Sequence, residues 1–151
     1  MIDESAMLSA FRTKFQVAEL LIRANDSWTW SVRPAQATLG CGVLSLNRHA
    51  ARFSEVSRDE MADLSELLRR AEQALAATFA FQAINYLMLM MVDHHVHFHV
   101  IPRYPTSRQF AGLDWVDPGW PALPVLGEQQ YADQPGVLLQ IRDVLREAAI
   151  D

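Results

Sequence analysis

The chain has 151 residues, half of them hydrophobic and 21% charged, with a formal net charge of −5. That length supports one domain with a substantial core rather than two, so residues 1–151 read as a single domain. The acidic balance argues against a broad grip on nucleic acid but leaves room for a small anionic ligand held by local positive charge.

Cys41 is the only cysteine, so no internal disulfide can form and the residue reads as a small buried hydrophobe. No apolar run approaches the roughly 20 residues that span a bilayer. Met1-Ile2-Asp3-Glu4 lacks the basic start of a signal peptide. The expectation is a cytoplasmic protein with no membrane partner.

In chain order, Phe15 to Leu21 fits either a strand or the end of an N-terminal helix. Ser27-Trp28-Thr29-Trp30-Ser31-Val32 alternates polar and bulky apolar side chains, predicting a strand over 27–33 that Pro34 ends. Gly42-Val43-Leu44-Ser45-Leu46 predicts a second over 42–48. His49, after Arg48, reads as a loop residue. Ser57-Arg58-Asp59-Glu60 has the form of a capping box, and Met61, Leu64, Leu68, Ala71, Leu75 and Phe79 make one apolar stripe. A helix over 58–79 covering a sheet is predicted.

The stretch from Ala83 to Met91 is apolar on both faces, which predicts a buried central strand over 82–91. It leads through Val92-Asp93-His94 into an antiparallel partner over 95–102. From Tyr104 to Gln134 the chain is rich in proline and aromatics, including Pro118, Pro121, Trp115 and Trp120. A loop so long is uncommon unless functional or disordered, and its aromatics argue against disorder. Packing across the sheet, the site or a partner subunit is expected. A closing amphipathic helix over 135–149 follows.

The chemistry concentrates in His95-Val96-His97-Phe98-His99. On extended backbone, alternate side chains share a face, so the three imidazoles project together while Val96, Phe98 and Val100 face the other way. At about 3.3 Å per residue the imidazoles sit roughly 6 to 7 Å apart along the strand, a spacing at which they can divide the labour around one substrate. His94 breaks the alternation and reads as structural or surface.

The run from His95 to Pro102-Arg103 resembles the signature of the histidine triad (HIT) superfamily of nucleotide hydrolases and transferases, with Leu87 to Val92 as the partner strand. The likeness extends more weakly from about Phe15 to Tyr104, leaving a C-terminal loop and helix over 105–151. Asn85 to Asp93, leading into the triad, is similar to a bacterial branch described as diadenosine-polyphosphate-hydrolase-like. The resemblance implies an α+β, HIT-like fold: an antiparallel sheet, a long helix packed on one face and a C-terminal helix. It implies His97 as nucleophile forming a nucleotidyl-imidazole intermediate, His99 assisting the leaving group and His95 orienting His97. Asn85 and Arg103 are the implied substrate-binding residues. It implies no required cofactor, although a divalent metal can accompany the substrate, and no protein-bound metal. A homodimer is implied as well.

The chain departs from the family pattern in three places. Leu39-Gly40-Cys41-Gly42 replaces Pro-Gly-His. Met90-Met91-Val92-Asp93 replaces the Ala-Gly-Gln loop. Near Ser31 to Pro34 the expected acidic or amide ribose contact is missing. Three readings follow: a nucleotide hydrolase or nucleotidyl transferase acting on a dinucleoside polyphosphate or phosphoramidate, a non-catalytic or weakly catalytic nucleotide-binding protein on the same scaffold, and a metal-dependent hydrolase using His95 and His97 with a third ligand.

Overall fold

A computed structural model describes residues 3–150; Met1, Ile2 and Asp151 lie outside it. Helix α1 (Glu4–Lys14) starts under an Asp3 cap whose carboxylate accepts from the Ser5 amide. The chain turns through Gln16, held at φ 53°, into strand β1 (Leu21–Ala24). Phe15 to Leu20 is thus neither strand nor helix. Strands β2 (Trp28–Val32) and β3 (Gly42–Leu46) follow as expected, slightly shortened. Helix α2 (Arg58–Phe79) begins on the predicted capping box, with both reciprocal Ser57–Glu60 bonds formed. Strands β4 (Ala83–Leu87) and β5 (His97–Arg103), hairpin strands β6 (Arg108–Phe110) and β7 (Leu113–Trp115), and helix α3 (Gly136–Ala148) complete the order.

The main sheet runs β1-β2-β3-β5-β4, antiparallel throughout. The triad strand β5, and not β4, is therefore interior, flanked by β3 and β4, and β4 is an edge. The reason is visible in how β4 is covered: Ile84 and Tyr86 pack on the main core, and Leu87 on a small cluster with Ala37, Cys41 and Ile101 on the opposite face. Apolarity on two faces reported two covering layers rather than two hydrogen-bonded neighbours. β4 also stops at Leu87, four residues early, and the chain reaches β5 through residues 88–96, where Met90 takes a left-handed φ of 54°.

Helices α2 and α3 cover one face of the sheet and α1 the other. Val96, Phe98 and Val100 point to the α2 side with Trp28 and Trp30, as the alternation predicts. The buried face of α2 is Leu64, Leu67, Ala71, Ala74, Leu75 and Phe79, whereas Met61 is 41% exposed. The stripe is rotated toward Leu67 and Ala74, because α3 packs beside α2 and supplies a second wall through Val137, Ile141 and Leu145. Gly42 permits close packing of β3 on β2: a Cβ there would lie 2.8 Å from Trp30 Nε1 and 3.0 Å from the Ser31 carbonyl oxygen. No helix among the described residues is long and apolar enough to cross a membrane.

The segment after β5 is ordered by a short hairpin and a buried ion pair. Ala111 and Gly112, both at positive φ, join β6 to β7 as a two-residue turn that follows the sheet twist. Arg108 reaches back to donate to the carbonyls of Phe79 and Ala80, closing the C-terminus of α2. Arg103, 4% exposed, donates to Asp117 at 2.7 Å and 3.3 Å, to the Asn85 amide oxygen at 2.7 Å and to the Ala122 carbonyl at 2.8 Å. Removing one partner leaves the other charge buried and unpaired. Asp117→Ala is expected to lower the unfolding free energy by about 3 kcal/mol or more, and adding Arg103→Met to recover part of that loss, as read from urea titrations of the single and double variants.

Candidate active site

The register across three strands sets the site. Thr29, Ser45 and His97 lie in one cross-strand row, and Ser31, Val43 and His99 in the next. This face lies opposite the α2 side, and α1 covers it with two phenyl rings. Phe11 sits 5.0 Å from His95 and 4.9 Å from His97, centroid to centroid; Phe15 sits 5.8 Å from His97 and 5.9 Å from His99. His97 and His99 meet edge-on at 5.0 Å. The exposures of His95, His97 and His99 are only 2, 2 and 8%.

Backbone partners fix the proton positions. The His95 Nε2 atom lies 2.7 Å from the Leu46 carbonyl oxygen, which can only accept, so Nε2 carries the hydrogen. Its Nδ1 accepts from the Ala50 amide at 3.4 Å, and both ring nitrogens are thereby engaged. His97 Nδ1 donates to the His95 carbonyl oxygen at 2.5 Å, which leaves the lone pair of the neutral ring on Nε2. His99 Nδ1 is buried without a hydrogen-bond partner among the described residues. It is therefore the backbone of His95, through its carbonyl, that orients His97, while the His95 ring braces the loop after β3.

Burial disfavours the imidazolium form in all three rings. It is the largest cause of the downward shift in each, reaching about 4 for His95 and His99. In His99 the nearby Arg33 charge adds to it; in His97 the His95 carbonyl and Asp93 oppose it.

His97 and His99 open onto a cavity of about 300 Å3 walled by Phe15, Arg33, Asp93 and Lys14, with Leu89 to Val92 along its rim. Lys14 bonds both oxygens of Asp93 at 2.9 and 2.8 Å, tying α1 to the loop before the triad. Beyond that bridge a second cavity of about 220 Å3 touches Phe11, His94 and His95. A larger depression on the outer side of α1, by Ser9, Arg12 and Glu19, carries no triad residue.

The structure thus brings His95, His97 and His99 together under α1 and sets Asn85 and Arg103 apart. Neither of the latter lines the cavity. The Arg103 donors and the Asn85 oxygen hold each other, Asp117 and the segment after β5. Sequence reasoning missed His49, whose ring stacks on His95 at 5.5 Å and 21°, with Nδ1 3.9 Å from Glu4. It also missed α1 as the cover; the signal was present in Phe11 and Phe15, four residues apart on one helical face. Cys41 is buried, as expected of a small hydrophobe, and burial raises its thiol pKa. Among the described residues no group of three His, Cys, Asp or Glu side chains is arranged to hold a metal ion.

Two buried imidazoles on β5 and a third just before it, beside a small cavity, define a histidine-based site on a five-stranded antiparallel sheet. Residues 35–106 match the HIT domain. It is 29% identical over 97 residues, 63% of its length, to adenosine 5′-monophosphoramidase of Schizosaccharomyces pombe, of which it covers 68%. The fold is similar to a hypothetical histidine triad nucleotide-binding protein of Sulfolobus tokodaii, with TM-score 0.66 and 15% identity over 95% of this chain and 91% of that one. It is also similar to a histidine triad protein of Bradyrhizobium japonicum, with TM-score 0.67 and 19% identity over 89% and 95% of the two chains.

Neutral burial of the rings carries a stability consequence. For a histidine whose pKa is lowered by folding, the unfolded chain binds the proton more tightly, so its stabilisation is present above about pH 6.5 and is lost as pH falls toward about 4. The thermal midpoint is expected to fall through this window, and His99→Asn to flatten the fall, as measured by circular dichroism melts at half-unit pH steps.

Proposed function

We propose that this protein is a nucleotide hydrolase or nucleotidyl transferase that acts through His97 on a nucleoside phosphate derivative of the phosphoramidate or dinucleoside polyphosphate class. The observation that carries the reading is the 2.5 Å bond from His97 Nδ1 to the His95 carbonyl. It directs the lone pair of a neutral imidazole to Nε2, on a ring that lines the cavity. An uncharged nucleophile approaches an anionic phosphorus without like-charge repulsion.

In the first step Nε2 attacks the α-phosphorus, the bond from phosphorus to the leaving nitrogen or oxygen breaks, and the leaving group departs with a proton. His99 supplies that proton. It is neutral in the empty site, and an incoming phosphate anion favours its protonation. In the second step water attacks the same phosphorus and gives its proton to the now neutral His99, the P–N bond to His97 breaks, and the neutral His97 ring is restored. The phosphoramidase activity of the fission yeast relative, named for that protein, supports this class of reaction.

The same geometry counts against His95 as a metal ligand, because both of its ring nitrogens lie on backbone partners. A metal carried by the substrate is compatible with this. One observation favours the second reading, nucleotide binding without turnover: the imidazoles lie beneath Phe11 and Phe15. A screen of adenosine 5′-phosphoramidate and dinucleoside tetraphosphate in chelator separates the three readings. Turnover in chelator supports hydrolysis, binding without turnover supports the second, and turnover only on metal addition supports the third. We place the reaction in the cytoplasm. The outer edge of β4 also fits pairing with a second copy, and light scattering at tens of micromolar protein is expected to give a dimer mass.

His97→Ala is expected to abolish both turnover and the nucleotidyl adduct. His99→Asn is expected to slow turnover by about 10²- to 10⁴-fold, the usual contribution of a positioned acid, while leaving some adduct. His95→Asn is expected to be milder, because the carbonyl that orients His97 survives it. Acid quench followed by peptide mass spectrometry is the check, and an adduct on any residue but His97 sinks the mechanism.

A further inference from the structure

The cavity beside His97 and His99 carries two cations that the mechanism leaves unused. Lys14 reaches it from the last turn of α1, and Arg33 from the residue just beyond β2. In a chain of net charge −5 this is a local reversal of sign at the mouth of the site.

The partners of the two cations leave capacity for a ligand. Arg33 donates to the carbonyls of Ala35 and Leu126, at 3.0 and 3.4 Å, and so is positioned by neutral oxygens. Its five N–H donors exceed those two bonds. Its charge acts directly on His99. Lys14 is paired with Asp93, but its side chain is 52% exposed, and ion pairs so exposed are weak and screened by salt. A phosphate chain offers more negative charge and more acceptor oxygens than one carboxylate, and both ammonium and guanidinium groups suit it.

We propose that Lys14 and Arg33 hold the phosphate chain of an anionic leaving group, Lys14 exchanging Asp93 for a phosphate oxygen as substrate binds. The site thereby prefers nucleotides that lose a phosphate or polyphosphate over those that lose a neutral amine. This inference rests on the nucleotidyl-transfer reading above and specifies its leaving group. The cavity, about 300 Å3, lies at the small end of ligand pockets.

Two substitutions break the same ion pair and separate this role from a structural one. Lys14→Met removes the phosphate ligand; Asp93→Asn frees it. Steady-state kinetics on dinucleoside tetraphosphate and adenosine 5′-phosphoramidate, with calorimetric titration of ATP and AMP, read the difference. Lys14→Met and Arg33→Met are each expected to raise KM for the tetraphosphate about tenfold more than for the phosphoramidate, the size of one charge-assisted hydrogen bond. Each should reduce the preference for ATP over AMP to a similar extent.

Asp93→Asn is expected to move ATP affinity the opposite way, upward, and Lys14→Arg to retain most of the preference. If Lys14→Met and Asp93→Asn weaken ATP binding alike, the bridge is structural and the inference fails. It fails also if wild type shows no preference for ATP over AMP. A wild type that prefers ATP, loses that preference in Lys14→Met and turns over neither substrate upholds Lys14 as a phosphate ligand and overturns both the hydrolase reading and the leaving-group role that rests on it.

Discussion

The hydrogen bond from His97 Nδ1 to the carbonyl two residues before it decides which nitrogen the central imidazole presents. That carbonyl is available because His95 lies just before the β5 ladder, where residues 46–50 and Val96 bond each other through the Leu46 amide and the Ala50 carbonyl. The His95 ring is clamped by the same segment, through Leu46 and the Ala50 amide. One short stretch after β3 thus fixes the tautomers of two histidines through backbone atoms. Side-chain substitution can change the rings but not the carbonyl that aims them.

Two covers lie on the triad face of the sheet. At one end Phe11, Phe15 and Val17 pack on Val43. At the other, Leu126 reaches the cluster of Ala37, Cys41 and Ile101, and Gln130 donates to the Ala37 carbonyl. The segment after β5 holds its place because Arg103 and Asp117 neutralise each other under it, and because Trp115 and Tyr131 meet edge-on at 4.8 Å. Tightness on both flanks explains why the imidazoles are dry enough to stay neutral yet still meet an open cavity.

Legibility in the sequence followed the range of the signal. The triad face, the capping box at Ser57 and the strands around Trp30 and Leu44 rest on local periodicity, and the structure has them nearly where the pattern puts them. The interior position of β5 was not legible, because strand order depends on partners distant in sequence and the double-sided apolarity of β4 has two causes. The roles of Asn85 and Arg103 were obscured for a related reason. Their chemistry suits a phosphate, but Asp117, fourteen residues after Arg103, occupies the guanidinium, and nothing local announces that pairing. His49 and Lys14 lie 46 and 79 residues from the groups they meet, beyond any motif.

The placement of the four tryptophans determines what the protein's intrinsic fluorescence can report. Trp28, Trp30 and Trp115 are buried in the main core, where the Trp28 indole donates to the Glu60 carbonyl at the start of α2. Trp120 stacks by Arg103. None of them lines the cavity, whose aromatic wall is the phenyl ring of Phe15. Indole emission is therefore a gauge of whether α2 is seated on the sheet and is close to blind to an occupied site, so an optical binding signal must come from the ligand itself.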